Sequence, residues 1–215
     1  MAMGRPRAFD KEKALDRALD VFLRQGYEGA SLADLTSAMG INPPSLYACF
    51  GSKEGLFRAA LDRYERTRGA SMQEALAKPT AREAVEYLLR SSAVYQTDPE
   101  SPPGCLLVQA ALTCSGAAEG IRCELGLRRA RAEESLRERL RRAKAEGDLP
   151  PDADCTALAR YVTTTINGMA VAAAGGASRA ELMQVVDLAL RAWPRPAKGK
   201  KSRRRASGRP ARAVR

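Results

Sequence analysis

Apolar residues recur along this chain at intervals of three and four, the spacing that lines one face of an α-helix. The first stripe, Ala14, Leu15, Ala18, Leu19, Phe22 and Leu23, predicts a helix from about Asp10 to Gln25, with Asp10 as N-cap and Gly26 as stop. A short second helix begins after Ser31, which caps it, and Asp34 lies near the positive end of its dipole. Leu32, Leu35 and Met39 form its inner stripe. Gly40, Ile41 and Asn42 make a turn, and Asn42 caps a third helix whose first residue, Pro43, has no N–H to leave unsatisfied. A fourth helix starts near Ser52, Lys53 and Glu54 and carries Leu56, Phe57, Ala60, Leu61 and Tyr64.

A break follows at Ala77, Lys78 and Pro79. Thr80 and Glu83 form a capping box opening a helix to about Gln96. Asp98 to Gly104 is a proline-rich loop, and Cys105 to Cys114 is a short apolar helix with Gln109 in its middle. About Ala118 to Glu146 is a long, densely charged amphipathic helix, closed by a break at Gly147 to Pro151. Asp154 to Ala174 is apolar and rich in small residues. Ser178 and Glu181 form a second capping box, whose helix ends at Trp193 and Pro194. The predicted fold class is therefore all-α. Residues 1–68 form a head of short helices, 80–194 a helical body, and 195–215 a basic tail too poor in apolar residues to bury a core, predicted to be disordered.

Composition supports helices: 45% of the 215 residues are hydrophobic but only 5% aromatic, and alanine and leucine supply most of the apolar content. Charge changes the picture less than its total suggests. Of the net +11, ten basic residues lie from Arg195 to Arg215, and the rest of the chain is nearly neutral. Charge alone does not mark the head as a nucleic-acid binder. The absence of histidine excludes histidine-based triads and general bases and the usual zinc ligand sets. No nucleophile–base pair, phosphate loop or metal spacing is present, so neither an enzyme nor a cofactor is implied. No long charge-free apolar run and no export signal are visible, which predicts a cytoplasmic protein without a membrane partner. Five cysteines, an odd number without a CxxC pair, predict free thiols.

Ser31–Met39, the turn at Gly40 and Pro43–Phe50 have the spacing of a helix-turn-helix, with Ile41 and Leu46 filling the angle. The second helix then exposes Pro44, Ser45, Ala48 and Cys49, with Tyr47 at its edge, and fits the major groove. An ordinary helical hairpin has the same spacing, so spacing alone leaves both readings open. The run from Gly40 to Phe57, with Ala18 to Leu35 upstream, closely resembles the DNA-binding head of TetR-type (TetR/AcrR) bacterial regulators over about residues 10–66. The resemblance implies that Tyr47 and Lys53 contact phosphates and that Ser31 faces the DNA backbone. It implies that Pro44 and Ser45 reach bases or sugars. The groove face of Pro43, Ser45, Ala48 and Cys49 lacks Arg, Asn and Gln, which leaves readout to thymine methyls, Ser45 and DNA shape. Arg5 and Arg7 form either a minor-groove arm or a solvated terminus.

The resemblance further implies a body that dimerises and binds a small-molecule effector. The dimer helices would be about 154–174 and 178–193, where Gly168 permits close approach; the same helices also read as intramolecular core. Gly104, Cys105, Leu106, Leu107 and Val108 resemble a signature of one branch of the family. Cys105, Gln109, Thr164 and Asn167 are candidate polar groups of the effector pocket, or satisfied polar groups within the bundle. Cys105, Cys114 and Cys123 recur every nine residues and Cys49 lies on the recognition helix. They read as a thiol sensor or soft-metal site, or, preferably, as small packed hydrophobes. The functional expectation is a ligand-responsive repressor that binds a palindromic double-stranded operator as a homodimer. The alternative is an architectural DNA-binding protein dominated by the tail.

Overall fold

The computed structural model describes residues 10–113 and 118–194. Arg5, Arg7, Cys114 and the basic tail lie outside them, so the minor-groove arm, the third position of the cysteine series and the tail have no structural account. The described residues form nine α-helices and no strand.

Helix α1 (Lys11–Gly29) is capped by the Asp10 carboxylate, which accepts the Glu12 and Lys13 N–H groups. The expected stop at Gly26 is a kink instead, with φ 71° and ψ −178°, after which a last turn carries Tyr27. Helices α2 (Leu32–Met39) and α3 (Pro43–Phe50) follow. Helix α4 (Lys53–Leu76) runs through residue 68 unbroken and stops only before the Lys78–Pro79 break. The body adds α5 (Ala81–Gln96), α6 (Leu106–Thr113), α7 (Glu119–Ala145), α8 (Cys155–Ala174) and α9 (Arg179–Ala192). Both anticipated capping boxes are present, at Thr80 with Glu83 and at Ser178 with Glu181.

Two apolar cores result. The first joins α1–α4 through Phe22, Leu35, Leu46 and Phe57, and it takes in Leu106 of α6 and Ile121 and Leu125 of α7. Phe57 meets Phe22 and Tyr27 edge-on, at 4.9 and 5.0 Å between ring centres. The second core joins α5, the later part of α7, α8 and α9 through Leu89, Leu136, Leu140, Val162 and Val186.

Charged side chains bind the two parts together. Arg128 on α7 pairs with Asp62 (2.8 Å) and Glu65 on α4 and with Glu124 (2.7 Å) one turn back. Arg58 on α4 reaches the same Glu124 at 2.8 Å. At the other end of α4, buried Arg139 donates to the Lys78 and Pro79 carbonyls and Arg142 to that of Leu76. These cations sit where the α4 dipole is negative and its last carbonyls lack helical donors. On the outer side of α8 and α9, Tyr161, Val171, Val185 and Leu188 are exposed, Leu188 by 61%.

Candidate nucleic-acid interface

Local chemistry fixes the helix-turn-helix. The Ser31 hydroxyl accepts the Asp34 N–H at 3.0 Å, and the Asp34 carboxylate accepts from both the Ser31 hydroxyl (2.6 Å) and the Ser31 N–H (3.3 Å). Gly40 closes α2 in the left-handed region (φ 68°, ψ 34°), where a Cβ would be strained, and Ile41 N–H returns to the Thr36 carbonyl at 3.1 Å. The Asn42 side chain then accepts the Ser45 N–H at 2.9 Å and starts α3. Leu46 is the single fully buried residue of α3, while Ile41 and Phe50 pack partly against the same core.

Pro43, Pro44, Tyr47, Ala48 and Cys49 are exposed on α3 and Ser45 is half-buried. Tyr47 is 47% exposed. No residue of α3 carries a charge. Lys53, first residue of α4, donates to the Glu28 carbonyl at 3.3 Å, and its ammonium lies 4.8 Å over the Tyr27 ring. Burial there pushes the Lys53 ammonium below the usual lysine value, and the Glu28 carboxylate opposes the shift. The contact brings the start of α4 beside the segment that leads into Ser31. The face therefore offers an uncharged helix flanked in the chain by two capped helices, α2 and α4, whose positive dipole ends suit phosphate oxygens.

Behind the head lies a cavity of about 420 Å³, lined by α4, α5, α7 and α8, by Leu107 of α6 and by the turn before it. Of the four effector candidates, Cys105 and Asn167 line it. Cys105 accepts a hydrogen bond from Tyr64 Oη at 3.3 Å. Gln109 and Thr164 do not line it. The Gln109 amide folds back to donate to the Pro103 carbonyl at 3.1 Å, beneath Gly104. Thr164 is exposed, because one step along a helix turns a side chain by about 100° and it is Thr163 that meets the cavity. The sequence reading missed Tyr64, Ser71, Tyr95, Gln96 and Arg129. Gln96 carried a signal, since it continues the buried stripe Ala81, Val85, Leu88, Leu89 and Ala93 as its one polar member. Among the described residues no group of His, Cys, Asp and Glu is placed to hold a metal. Cys49 and Cys123 are exposed, Cys105 half-buried and Cys155 buried, so these four thiols sit in different environments. No described helix is long and apolar enough to cross a membrane.

A capped helix-turn-helix joined to a helical body around a cavity defines a helix-turn-helix transcriptional regulator. Comparison with known proteins places the chain further. Residues 14–60 match the family model of bacterial regulatory proteins, tetR family, and residues 81–186 that of the tetracyclin repressor-like C-terminal domain. The chain belongs to the TetR family and is a DNA-binding transcriptional regulator. It is 40% identical to the HTH-type transcriptional repressor ComR of Escherichia coli strain K12, over 89% of this chain and 92% of that one. It is 32% identical to the uncharacterized regulator YezE of Bacillus subtilis strain 168, over 87% and 98% of the two chains. Among solved structures it resembles the TetR family regulator CifR, a cysteine-substituted form bound to a 26 bp operator duplex. That likeness has 50% identity and a TM-score of 0.84, and covers 88% of this chain and all of that one.

Proposed function

We propose that the protein is a homodimeric repressor that grips a palindromic operator through α3 and releases it when a small molecule fills the body cavity. The observation that carries this reading is the joint presence of an exposed, uncharged α3, flanked in the chain by the capped helices α2 and α4, and a cavity against the same α4. Tyr47 and Lys53 hold phosphates, as does the backbone at Ser31. Pro43, Pro44, Ser45, Ala48 and Cys49 lie on the groove, where apolar contact and DNA shape set sequence preference. The exposed Tyr161, Val171, Val185 and Leu188 supply the surface that a second copy covers. A two-fold dimer reads two half-sites about 34–36 Å apart. The protein acts in the cytoplasm and by binding rather than catalysis. The tail-dominated alternative rests on residues outside the described ones.

The deciding experiment selects duplexes from a random library with the purified full chain and sizes the protein by light scattering. Two inverted half-sites about one helical turn apart, bound by a dimer, are expected. Enrichment of a sequence without two-fold symmetry, or a monomer at micromolar concentration, overturns the reading.

A further inference from the structure

Gln96 is the most constrained polar group in the cavity wall. Its side chain is 4% exposed, and its Nε2 donates to the Ile166 carbonyl of α8 at 3.1 Å. That bond fixes the amide's orientation, because a flipped amide would set oxygen against oxygen. The Oε1 atom is left buried at the cavity wall with no hydrogen-bond partner in the protein. The Gln96 backbone is also held, its carbonyl accepting the Gly104 N–H at 3.0 Å. The side chain cannot turn away to find another donor without breaking its bond to α8.

The other polar groups around it are largely matched to one another. Ser71 and Tyr95 share a hydrogen bond of 2.5 Å. Glu133 meets Arg160 at 3.1 Å and accepts from the Thr163 hydroxyl at 3.2 Å, so its carboxylate already has partners. Arg129 differs. It donates to the Leu107 carbonyl at 2.7 Å, and among the described residues no carboxylate forms an ion pair with it. The remaining wall includes Met72, Leu88, Leu107 and Ile166. The cavity thus presents an apolar body, the buried Gln96 acceptor without a donor, the Arg129 guanidinium without an ion-pair partner, and the polar side chains of Ser92 and Asn167.

Resting on the effector reading above, we propose that the cavity takes a small organic acid with an apolar body and a hydroxyl or N–H group. The ligand's donor meets Gln96 Oε1 and its carboxylate meets Arg129. A charged hydrogen bond to a guanidinium is among the stronger polar contacts, and an unpartnered buried acceptor is costly to leave unmade. Such a ligand touches α4 at Ser71 and α8 at Asn167, so it contacts at once the helix that begins at the DNA face and the helix with the exposed outer surface.

The test is calorimetric titration of the full chain with three matched probes. These are para-hydroxycinnamate (acid and donor), para-methoxycinnamate (acid only) and methyl para-hydroxycinnamate (donor only). The hydroxy acid is expected to bind about tenfold more tightly than the methoxy acid, and Gln96→Met to abolish that preference. Arg129→Gln should weaken both acids about tenfold and leave the ester unchanged. Equal affinity of the hydroxy and methoxy acids for the wild-type chain means that the ligand's donor does not meet Gln96 Oε1, and it overturns the proposal. So does an ester that binds as well as the acid. Should Gln96→Met fail to fold, the wild-type comparison and Arg129→Gln decide alone. If no probe binds at millimolar concentration while the protein still retards its operator, the ligand class is wrong and the repressor reading stands. If the acids bind as expected but no symmetric operator exists, the repressor reading fails and the ligand class stands.

Discussion

Replacing Leu46 with alanine removes the only fully buried side chain of α3. Truncating a buried leucine costs about 2–5 kcal/mol, and a larger residual cavity moves the value upward. Because α3 has eight residues and much of its surface faces solvent, it can settle partly into the gap, which places the expected loss near 3 kcal/mol. For a chain of this size each kcal/mol lowers the melting temperature by about 2–4 °C, so a drop of about 6–12 °C is expected. The melt is followed by circular dichroism at one fixed protein concentration, since the apparent stability of a dimer depends on it. Operator affinity, read by fluorescence anisotropy, falls too, because an eight-residue helix has little stability of its own once its anchor is gone. The neighbouring Tyr47→Ala separates the two effects. Its side chain is 47% exposed, so the melt stays within about 2 °C of wild type while operator affinity drops at least about tenfold. A Leu46→Ala protein that melts with wild type, or a Tyr47→Ala protein that binds operator normally, would refute the division of labour within α3.

Arg128→Ala leaves Asp62, Glu65 and Glu124 without their shared cation, whose side chain is only 14% exposed. A loss of about 1–2 kcal/mol in urea denaturation is expected, discounted because Asp62 and Glu65 are substantially exposed; an equilibrium curve identical to wild type would contradict it. The same cluster sets an acid limit. Burial pushes the Glu124 carboxyl up, but hydrogen bonds from Arg58 and Arg128 outweigh it and leave its pKa below the usual glutamate value. A depressed folded-state pKa gives stability that is present above the unfolded value and is lost as pH falls through the folded one. Wild-type stability should therefore decline below about pH 4.5, and Glu124→Gln should flatten part of that decline; parallel pH profiles for the two proteins count against the linkage. Asp20 works in the opposite sense, since burial raises its pKa and protonation there favours the folded state. Gly104→Ala would drive a Cβ into the Gln109 amide and place it 3.2 Å from the Ala170 carbonyl, at φ 105°. About 1–3 kcal/mol of destabilisation is expected by thermal melting, and an unperturbed melt would show that this loop yields more freely than its packing implies.

The helix ends were legible in the sequence because capping is local. Ser31, Asn42, Thr80 and Ser178 each bond to a backbone N–H group three residues on. The length of α4 was not. Its apolar stripe is clear only to Tyr64, and beyond that the helix borders a cavity and two cores, so no single face stays apolar. The cavity was the least legible feature, since its wall draws scattered residues from five helices and a turn. On α8, small residues on every side blur the periodicity, and Thr163, not Thr164, faces inward. Gln109 looked like a lining group because it interrupts an apolar helix, but the loop preceding that helix supplies its carbonyl partner. The recognition face, by contrast, follows from a capped eight-residue helix with one inward leucine, which leaves the other positions little choice.

The unbroken course of α4 has a mechanical consequence. Met72 lines the cavity and Lys53 begins the same helix at the DNA face, a separation of about 28 Å at the rise of an α-helix. The helix is therefore a lever arm. A tilt of about 5° about its cavity end displaces the far end by about 2.5 Å. Two such arms, moving symmetrically apart in a dimer, alter the span between half-sites by about 5 Å against a required 34–36 Å. A ligand need only wedge the short end of the rod for both reading heads to lose their register.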